Sequence, residues 1–332
     1  MIAPFKALLI EQDDQRKVVS GLKTLTADQL DAGEVLIRVH YSSINYKDAL
    51  AATGAGKIIR RFPCVGGIDL SGEVVESSDA RFKPGDAVIA TSFDIGVSHH
   101  GGYAEYARIP AGWVVPLPAG LDLFEAMALG TAGFTAALGI VRMEDNGLAP
   151  ANGPVVVTGA TGGVGGLAID MLAQLGYHVV ALTGKEAESD YLKGLGAAEI
   201  LLRSTIDFDK VRPLESARWA GAVDNVGGQI LHWVLANMQQ AGTVASIGNA
   251  ASFNISTTVF PFILRGVSLL GVDSGYMGFP TRQKVWDRLA GDLKPRHLAE
   301  VTRTISLDEL PAAFEAYIKG EVKGRTVVRI AA

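Results

Sequence analysis

Short apolar-rich runs, separated by glycine and proline, fill the N-terminal third of the chain. Runs of this length bounded by turn residues are typical of β-strands, and Lys83-Pro84-Gly85-Asp86 is a turn signal between two of the runs. The predicted strands lie at 35–41, 72–75, 87–90, 103–109 and 113–116. Short strands spaced this closely by turn residues predict a small barrel or sandwich.

The pattern changes after residue 121. Asp122 and Glu125 have the spacing of a capping box, which predicts the start of an apolar helix that continues to residue 143. Beyond it, β-branched strands alternate with helical stretches that end at glycine, which predicts a parallel sheet with helices on both faces. The predicted strands are 154–158, 178–182, 198–202, 221–225, 243–247, 267–272 and 326–330, and the helices are 164–175, 186–195, 229–238, 280–290 and 307–319.

A glycine-rich segment, T-G-A-T-G-G-V-G at 158–165, joins a predicted strand to a predicted helix. In this position Gly162 lets the backbone approach a pyrophosphate, Gly165 lets the helix pack closely, and the helix amides bind the anion. Ala160 stands where the first glycine of the dinucleotide fingerprint is usual. The same letters fit the loop of short-chain dehydrogenases, but none of the eight tyrosines has the lysine four residues later that those enzymes use. We therefore predict a dinucleotide-binding loop of the fingerprint type and not a short-chain dehydrogenase.

The residues about 20 positions after this loop predict which cofactor is bound. An Asp or Glu there would bind the ribose 2′-hydroxyl of NAD, whereas this chain has Thr183, Gly184 and Lys185. A hydroxyl and an ammonium suit a 2′-phosphate, and Arg203 adds a further positive group. The sequence therefore predicts NADPH.

Composition and charge exclude several other classes of protein. A length of 332 residues suggests two domains, and 30 Lys+Arg against 35 Asp+Glu, with no basic run, argues against nucleic-acid binding. The single cysteine, Cys64, excludes an intramolecular disulfide and a four-cysteine zinc site. Residues 1–10 resemble a strand and not a signal peptide, and the apolar stretches 126–141 and 146–169 are too short or too broken to span a membrane. We expect a cytoplasmic protein with no membrane partner.

Several motifs resemble those of the zinc-free medium-chain dehydrogenase/reductase superfamily, and within it the acryloyl-CoA reductase branch, a group also named quinone oxidoreductases. They are SSINYKDAL at 42–50, GIDLSG at 67–72, GTAGFTA at 130–136, FILR at 262–265, GVDS at 271–274 and GRT at 324–326. The resemblance implies an α/β protein with a GroES-like β-barrel catalytic domain (1–122 and 272–332) and a Rossmann domain with a doubly wound parallel sheet (123–271). It also implies a homodimer formed through the strand at 267–272.

The chain departs from the zinc-dependent relatives at the metal. Asn45 stands where they have their first cysteine ligand, and Gly67-Ile68-Asp69 replaces Gly-His-Glu. A catalytic zinc needs three protein ligands, and one remaining carboxylate does not supply them. The six histidines are scattered along the chain apart from the adjacent pair at 99–100, so we predict no metal site.

Without a metal, conjugate reduction is the easier chemistry, because hydride from NADPH adds to the β-carbon and charge spreads into an enolate that hydrogen-bond donors stabilise. Asn45 is expected to orient the nicotinamide or the substrate carbonyl, and Tyr46 to line the cofactor site. Asp69 is expected either to fix Asn45 or to relay a proton.

The resemblance also implies cofactor contacts for residues that are distant in sequence. It assigns Thr161, Gly162, Gly163 and Val164 to the pyrophosphate, Thr183, Gly184 and Lys185 to the 2′-phosphate, Arg203 to the adenosine end, and Tyr46, Thr135, Asn249, Ile263, Ser274 and Arg325 to other parts of the cofactor. Asn249 departs from the apolar residue expected at its position. Arg265, Arg282 and Arg325 are either anchors for the phosphates of CoA or ordinary surface arginines.

These observations predict an NADPH-dependent reductase of α,β-unsaturated acyl-CoA, with acryloyl-CoA as substrate and propanoyl-CoA as product. Two other interpretations stay open: an NADPH:quinone oxidoreductase, and a catalytically silent NADPH-binding protein.

Overall fold

The computed structural model describes residues 2–330, and each predicted strand and helix has a counterpart in it. The elements at 18–25, 46–53, 64–65, 260–265 and 302–306 were not predicted. Within that range the strands are β1 Phe5–Gln12, β2 Val18–Leu25, β3 Val35–Ser43, β4 Cys64–Val65, β5 Asp69–Ser77, β6 Ala87–Thr91, β7 Tyr106–Ile109, β8 Val114–Pro116, β9 Val155–Thr158, β10 Val179–Thr183, β11 Glu199–Leu202, β12 Trp219–Asp224, β13 Met238–Ser246, β14 Ser268–Gly271, β15 Thr302–Ser306 and β16 Arg325–Arg329. The helices are α1 Tyr46–Thr53, α2 Leu123–Asp145, α3 Gly163–Gln174, α4 Ser189–Gly194, α5 Gly228–Ala236, α6 Phe260–Arg265, α7 Thr281–Leu289 and α8 Leu310–Ile318.

The first of two units comprises the chain up to Thr131 and the segment from Leu298 onward. A seven-stranded sheet holds β15, β16, β3, β5, β6 and β8 side by side, with β7 paired to β3, and a smaller sheet holds β2, β1 and β4. Apart from β15 and β16, which run parallel, the strand pairs are antiparallel. This confirms the small β-domain expected from the short, closely spaced strands.

The second unit, Ala132–His297, contains a six-stranded parallel sheet in the order β11-β10-β9-β12-β13-β14. The order runs outward in both directions from β9, which is the doubly wound arrangement of dinucleotide-binding folds. Strands β9 and β12 are buried along their whole length, as continuous apolar strands covered on both faces should be. The predicted Rossmann sheet is confirmed.

The two units divide the chain after Thr131 and after His297, later in the sequence than the predicted domain boundaries at 122/123 and 271/272. The predicted ranges also include residues 1 and 331–332, which lie outside the described residues. Residues 272–297 pack with the second unit because α7 lies against α2. The Trp286 ring stacks on Phe134 at 5.9 Å between centroids, and the Arg282 guanidinium lies 4.6 Å from the same ring. These contacts were not visible in the linear pattern.

Helix α2 is long and apolar enough, by length and composition alone, to cross a membrane, but 83% of its apolar 18-residue stretch is buried inside the protein. Phe134 and Leu138 are fully buried. The helix therefore packs as a core element, as expected for 126–141. Its backbone is interrupted at Gly130 (φ 51°, ψ −153°), a break that the sequence pattern did not predict.

Several predicted elements are shorter in the structure, and two of them differ most clearly. The helix predicted at 186–195 begins as a 3₁₀ turn, and only α4 is α-helical. The strand predicted at 103–109 begins at Tyr106, because the backbone amides of Gly101, Gly102 and Tyr103 bind carbonyls of the 65–67 segment instead of a ladder partner.

Candidate active site

Strand β3 ends directly before helix α1, and this junction places two of the predicted residues. Asn45 precedes the helix with an extended backbone (φ −111°, ψ 158°), which lets the chain turn from strand to helix. Tyr46 opens the helix and leaves 55% of its surface exposed. Asp69 begins β5, the antiparallel neighbour of β3, and is fully buried. The strand pairing therefore brings Asp69 to the same junction.

The Asp69 carboxylate accepts four hydrogen bonds. Its Oδ2 receives Ser43 Oγ at 2.6 Å, Asn45 Nδ2 at 2.8 Å and the backbone N–H of a third residue, Thr131, at 2.9 Å. Its Oδ1 receives the Thr131 hydroxyl at 2.5 Å. Because every one of these partners donates, the carboxylate acts as an acceptor. Of its two expected roles, this geometry fits the fixing of Asn45, and the relay of a proton stays a prediction.

Arg325 is part of the same cluster, in a place that the sequence did not predict. Its side chain is buried, with Nη2 donating to Ser43 Oγ at 3.0 Å and Nε donating to the Ala128 carbonyl at 2.9 Å. Nη1 lies 3.4 Å from Asn45 Oδ1. The guanidinium is therefore an internal counter-charge one hydroxyl away from Asp69. This geometry argues against the expected cofactor contact.

The helix break at Gly130 makes room for this cluster. A Cβ atom at Gly130 would lie 2.6 Å from Asp69 Oδ2 and 2.9 Å from both Ser43 Oγ and Arg325 Nη2. The positive φ of Gly130, which favours glycine, also turns the N–H and hydroxyl of Thr131 toward Asp69. Ser43 and Thr131 were not predicted, although both belong to the motifs that carry the family resemblance.

The Asn45 carboxamide has no free donor. Its Nδ2 lies 2.8 Å from Asp69 Oδ2, 3.2 Å from Asp48 Oδ2 and 3.4 Å from Ser43 Oγ, so its two hydrogens are directed into the cluster. In this arrangement Asn45 cannot donate to a substrate carbonyl. The expectation that it orients that carbonyl directly does not fit the geometry.

Asp48 is a further buried carboxylate that the sequence analysis did not single out. It lies on the first turn of α1 and accepts the backbone N–H groups of Asn45 at 2.8 Å and Ile68 at 2.9 Å. Burial, followed by the nearby charge of Asp69, raises the pKa of Asp48 from its usual 3.8 to about 7, against the opposing effect of these donors. The capping-box spacing of Asn45 and Asp48 was the signal that could have identified it.

The glycine-rich loop has the predicted strand–turn–helix context. The tight turn comes from Gly159 (φ 60°), one position before the usual first glycine, so Ala160 needs no special backbone. A Cβ at Gly165 would lie 2.4 Å from the Gly159 carbonyl oxygen, which confirms that Gly165 allows close packing, against the loop more than the strand. Gly162 immediately precedes the twelve-residue helix α3, which Gly163 opens, so N–H groups of the first turn have no helical partner.

A cavity of about 230 Å³ joins the loop to the end of β10. Five of the predicted cofactor residues line it: Thr161, Thr183, Gly184, Lys185 and Arg203. A Cβ at Gly184 would lie 3.4 Å from the Arg203 guanidinium, so the glycine allows that group to lie against the backbone. No acidic side chain lines this cavity among the described residues. The space therefore combines a helix N-terminus with two cations, which suits a phosphorylated ligand.

The other predicted cofactor residues are not part of this cavity's lining. Thr135 and Ser274 are brought together by a hydrogen bond of 2.7 Å from one hydroxyl to the other. Asn249 is exposed on the loop after β13, and Ile263 is 68% exposed on α6. Their contacts with a cofactor stay predictions.

Arg265 and Arg282 also form internal hydrogen bonds. Arg282 is fully buried, with Nε donating to the Met277 carbonyl at 2.7 Å. Arg265 Nη1 donates to the carbonyls of Ala236, the last residue of α5, and of Met238, the first residue of β13. Neither interpretation given to these arginines holds for Arg282 or for Arg325, because a buried guanidinium is neither a surface group nor accessible to a CoA phosphate.

Across residues 2–330, no three His, Cys, Asp or Glu side chains lie close enough together to hold a metal ion. Cys64 is buried, and its burial raises the pKa of the thiol to about 12, so it is not a reactive thiolate at neutral pH.

Comparison with known proteins yields two family models. The one described as "Alcohol dehydrogenase GroES-like domain" matches residues 31–119, and the one described as "Zinc-binding dehydrogenase" matches residues 163–291. The chain is 46% identical to acrylyl-CoA reductase AcuI of Ruegeria pomeroyi, over 98% of this chain and 99% of the relative. It is 48% identical, with the same coverage, to YhfP of Bacillus subtilis, which carries the name of a quinone oxidoreductase.

Two solved structures are similar to the chain throughout. The yhdH oxidoreductase of Salmonella enterica in complex with NADP has a TM-score of 0.95 and 48% identity, covering 98% of this chain and all of the other. Bacillus subtilis yhfP with NAD bound has a TM-score of 0.96 and 47% identity, covering 99% of this chain and all of the other.

Proposed function

Because the chain belongs to the medium-chain dehydrogenase/reductase superfamily, we propose that it is an NADPH-dependent reductase of the C=C bond of an α,β-unsaturated acyl-CoA. Its substrate is acryloyl-CoA and its product propanoyl-CoA. The observation that carries this proposal is the 46% identity, over 98% of the chain, to a protein named acrylyl-CoA reductase. The side chains around Asn45 and Asp69 agree with it, because they provide dipoles and charge where a zinc enzyme provides metal ligands.

The residues divide the work between binding and positioning. Bound NADPH supplies the hydride that adds to the β-carbon of the substrate. The amides that begin α3 hold its pyrophosphate, and Lys185 and Arg203 hold its 2′-phosphate. Tyr46, half exposed beside the buried cluster, lines the nicotinamide site. The hydrogen bond from Asn45 Nδ2 to Asp69 fixes the Asn45 side chain, so the side chain does not reorganise during reduction.

The choice of NADPH over NADH rests on the cavity beside the glycine loop. One related structure was solved with NADP and another with NAD, so relatives alone do not decide the cofactor. In this chain two cations and no carboxylate line the cavity within the described residues. An NAD site would offer an acidic group to the 2′-hydroxyl, which would repel a phosphate.

The protein is a cytoplasmic homodimer in this proposal. Strand β14 is the edge of the parallel sheet, and next to it in the chain α6 exposes apolar side chains of Ile263 and Leu264 to 68% and 54%. An exposed edge strand and apolar helix face favour pairing with a second copy. A single buried cysteine fits a reducing compartment.

A quinone oxidoreductase is the second candidate, favoured by the name of the relative YhfP. Oxidation of NADPH by the purified protein, followed in parallel with acryloyl-CoA, crotonoyl-CoA and a 1,4-quinone, separates the candidates. We expect turnover of acryloyl-CoA with propanoyl-CoA identified by mass spectrometry. Turnover of the quinone alone would select the second candidate, and binding of NADPH without turnover of any substrate would select a silent protein.

The same assay tests Asn45. We expect Asn45→Ala to lower kcat with acryloyl-CoA by about 10²-fold, because the reacting groups are then positioned less accurately. The control is Asn146→Ala, at an exposed position after α2. Metal analysis of the active protein completes the experiment: stoichiometric zinc whose removal abolishes turnover would overturn the proposed metal-free reduction.

A further inference from the structure

The Asp48 carboxylate connects Asn45 to the segment that carries Asp69. One oxygen of Asp48, Oδ2, accepts the backbone N–H of Asn45 at 2.8 Å and its Nδ2 at 3.2 Å. The other oxygen, Oδ1, accepts the backbone N–H of Ile68 at 2.9 Å. Ile68 directly precedes Asp69, so Asp48 ties the start of α1 to the start of β5.

These contacts exceed what a helix cap requires. In a capping box the third helical residue reaches back to the backbone N–H of the residue before the helix, which accounts for one bond of Asp48 to Asn45. The bonds to Asn45 Nδ2 and to Ile68 do nothing for the helix end. They fix the rotation of the carboxamide and the position of the segment that presents Asp69.

The surrounding charges make Asp48 costly to keep buried. It is 2% exposed, and Asp69 on β5 is a neighbouring carboxylate. Burial, followed by the charges of Asp48, Tyr317 and Asp69, raises the pKa of Tyr103, which lies before β7. Arg325 on β16 donates to Asn45 Oδ1 at 3.4 Å, so the cluster holds two carboxylates beside this guanidinium. A single acceptor oxygen is enough to cap the helix, whereas holding the Asn45 carboxamide and the Ile68 N–H at the same time takes both oxygens of the carboxylate.

We propose that Asp48 is a positioning residue for the reduction, which acts by holding the Asn45 carboxamide in one orientation and the Ile68–Asp69 segment against it. This inference rests on the proposed function. In the ionised state both Asp48 oxygens accept hydrogen bonds, and Asn45 keeps its two Nδ2 hydrogens on the two aspartates. Without that carboxylate, Asn45 is free to rotate and Asp69 loses part of its support.

A double-mutant cycle on the purified protein tests this inference. We expect Asp48→Asn, which keeps the size and removes the charge, to lower kcat about 10²-fold while the affinity for NADPH, measured by its fluorescence, changes less than about 3-fold. In the Asn45→Ala background the same substitution should lower kcat at most about 10-fold, because only the contact with Ile68 is then left to lose. Glu309→Gln is the matched control, because Glu309 is also the third residue of a capping box but is exposed, and it should leave kcat unchanged.

Independent, multiplying effects of Asp48→Asn and Asn45→Ala on kcat would overturn the inference, as would an Asp48→Asn variant with full activity. If Asp48→Asn does not fold, Asp48→Glu replaces it: the longer acid can still cap α1, and we expect it to fold with kcat lowered at least 10-fold. Full activity of Asp48→Glu would then overturn the inference. The cycle is measured with whichever of acryloyl-CoA or the quinone is turned over, so failure of the proposed substrate is seen separately.

Discussion

Asn45 Nδ2 lies 2.8 Å from Asp69 Oδ2, and both groups are held by further hydrogen bonds inside the first unit. The contact joins the end of β3 to the start of β5 and places an amide donor on a fully buried carboxylate. The positive group nearest to it, Arg325, reaches it through the hydroxyl of Ser43. The reactivity and the stability of the protein should therefore change together when this cluster is altered.

Substitution of Asp69 by alanine should reduce both. It leaves Arg325 buried without its nearby carboxylate and removes the acceptor of Ser43 and Thr131, a loss that costs about 3–5 kcal/mol of unfolding free energy. Urea denaturation and NADPH oxidation measure the two effects. Asp308→Ala is the control: its exposed ion pair with Lys6 should contribute less than about 1 kcal/mol. A stable, active Asp69→Ala variant would contradict the role assigned to the cluster.

Gly130→Ala should disturb the cluster without touching its polar groups. The new methyl group would collide with the Asp69 carboxylate, and the alanine would have to adopt an unfavourable positive φ. Gly147→Ala also places alanine at a positive φ, 91°, with nothing within 4 Å of the new atom, so it measures the cost of a positive φ without a collision, about 1–2 kcal/mol. We expect Gly130→Ala to cost about 1–3 kcal/mol more than Gly147→Ala in thermal or urea unfolding. Equal losses would show that the space at Gly130 is not needed.

Cofactor choice should depend on the two cations of the cavity. Lys185→Ala and Arg203→Ala each remove a charged partner worth about 1.5–3 kcal/mol, so each should weaken NADPH binding about 10- to 100-fold and leave NADH binding nearly unchanged. Fluorescence titration with both cofactors provides the measurement. Lys193→Ala, at an exposed position on α4, is the control. Equal losses of affinity for NADPH and NADH would show that Lys185 and Arg203 contact a part of the cofactor other than the 2′-phosphate.

Asp48 should make stability depend on pH in a defined direction. Its pKa is about 7 in the folded protein against an ordinary 3.8, so between these values the folded state holds a proton that the unfolded chain releases. Its contribution to stability is therefore complete below pH 4 and is lost as pH rises through 7. Unfolding free energies of the wild type and Asp48→Asn, compared from pH 4 to 8, should converge or cross in the variant's favour as pH rises. A difference independent of pH would contradict the raised pKa.

Assembly should depend on the edge of the parallel sheet. Leu269 on β14 is 38% exposed, and a charge there would be buried without a partner in the proposed dimer. We expect Leu269→Glu to yield monomers by light scattering. Val75→Glu, at an equally exposed position on β5, should leave the dimer intact. A wild-type protein of monomer mass would remove the proposal altogether.

The sequence was sufficient for features that depend on neighbouring residues. The short apolar runs bounded by glycine and proline predicted the β-rich unit, and the alternation of strands with helices predicted the parallel sheet. The capping box at Asp122 and Glu125 is present, with both reciprocal hydrogen bonds. The glycine loop was recognised despite Ala160, because the turn needs one residue with positive φ and the adjacent Gly159 provides it. Such signals survive in sequence because backbone geometry and burial act over a few residues.

Only the tertiary structure decided how the active-site cluster is composed. Arg325 and Ser43 are 282 positions apart, and strand pairing brings them to within 3.0 Å. Arginine side chains are normally exposed, so the sequence predicted a surface or ligand-binding role for Arg325. Only the observed carbonyl, hydroxyl and carboxylate neighbours explain its burial. The helix break at Gly130 likewise has a reason only in the carboxylate beside it. Local sequence specifies local backbone, whereas the balance of buried charge depends on which distant groups the fold brings together.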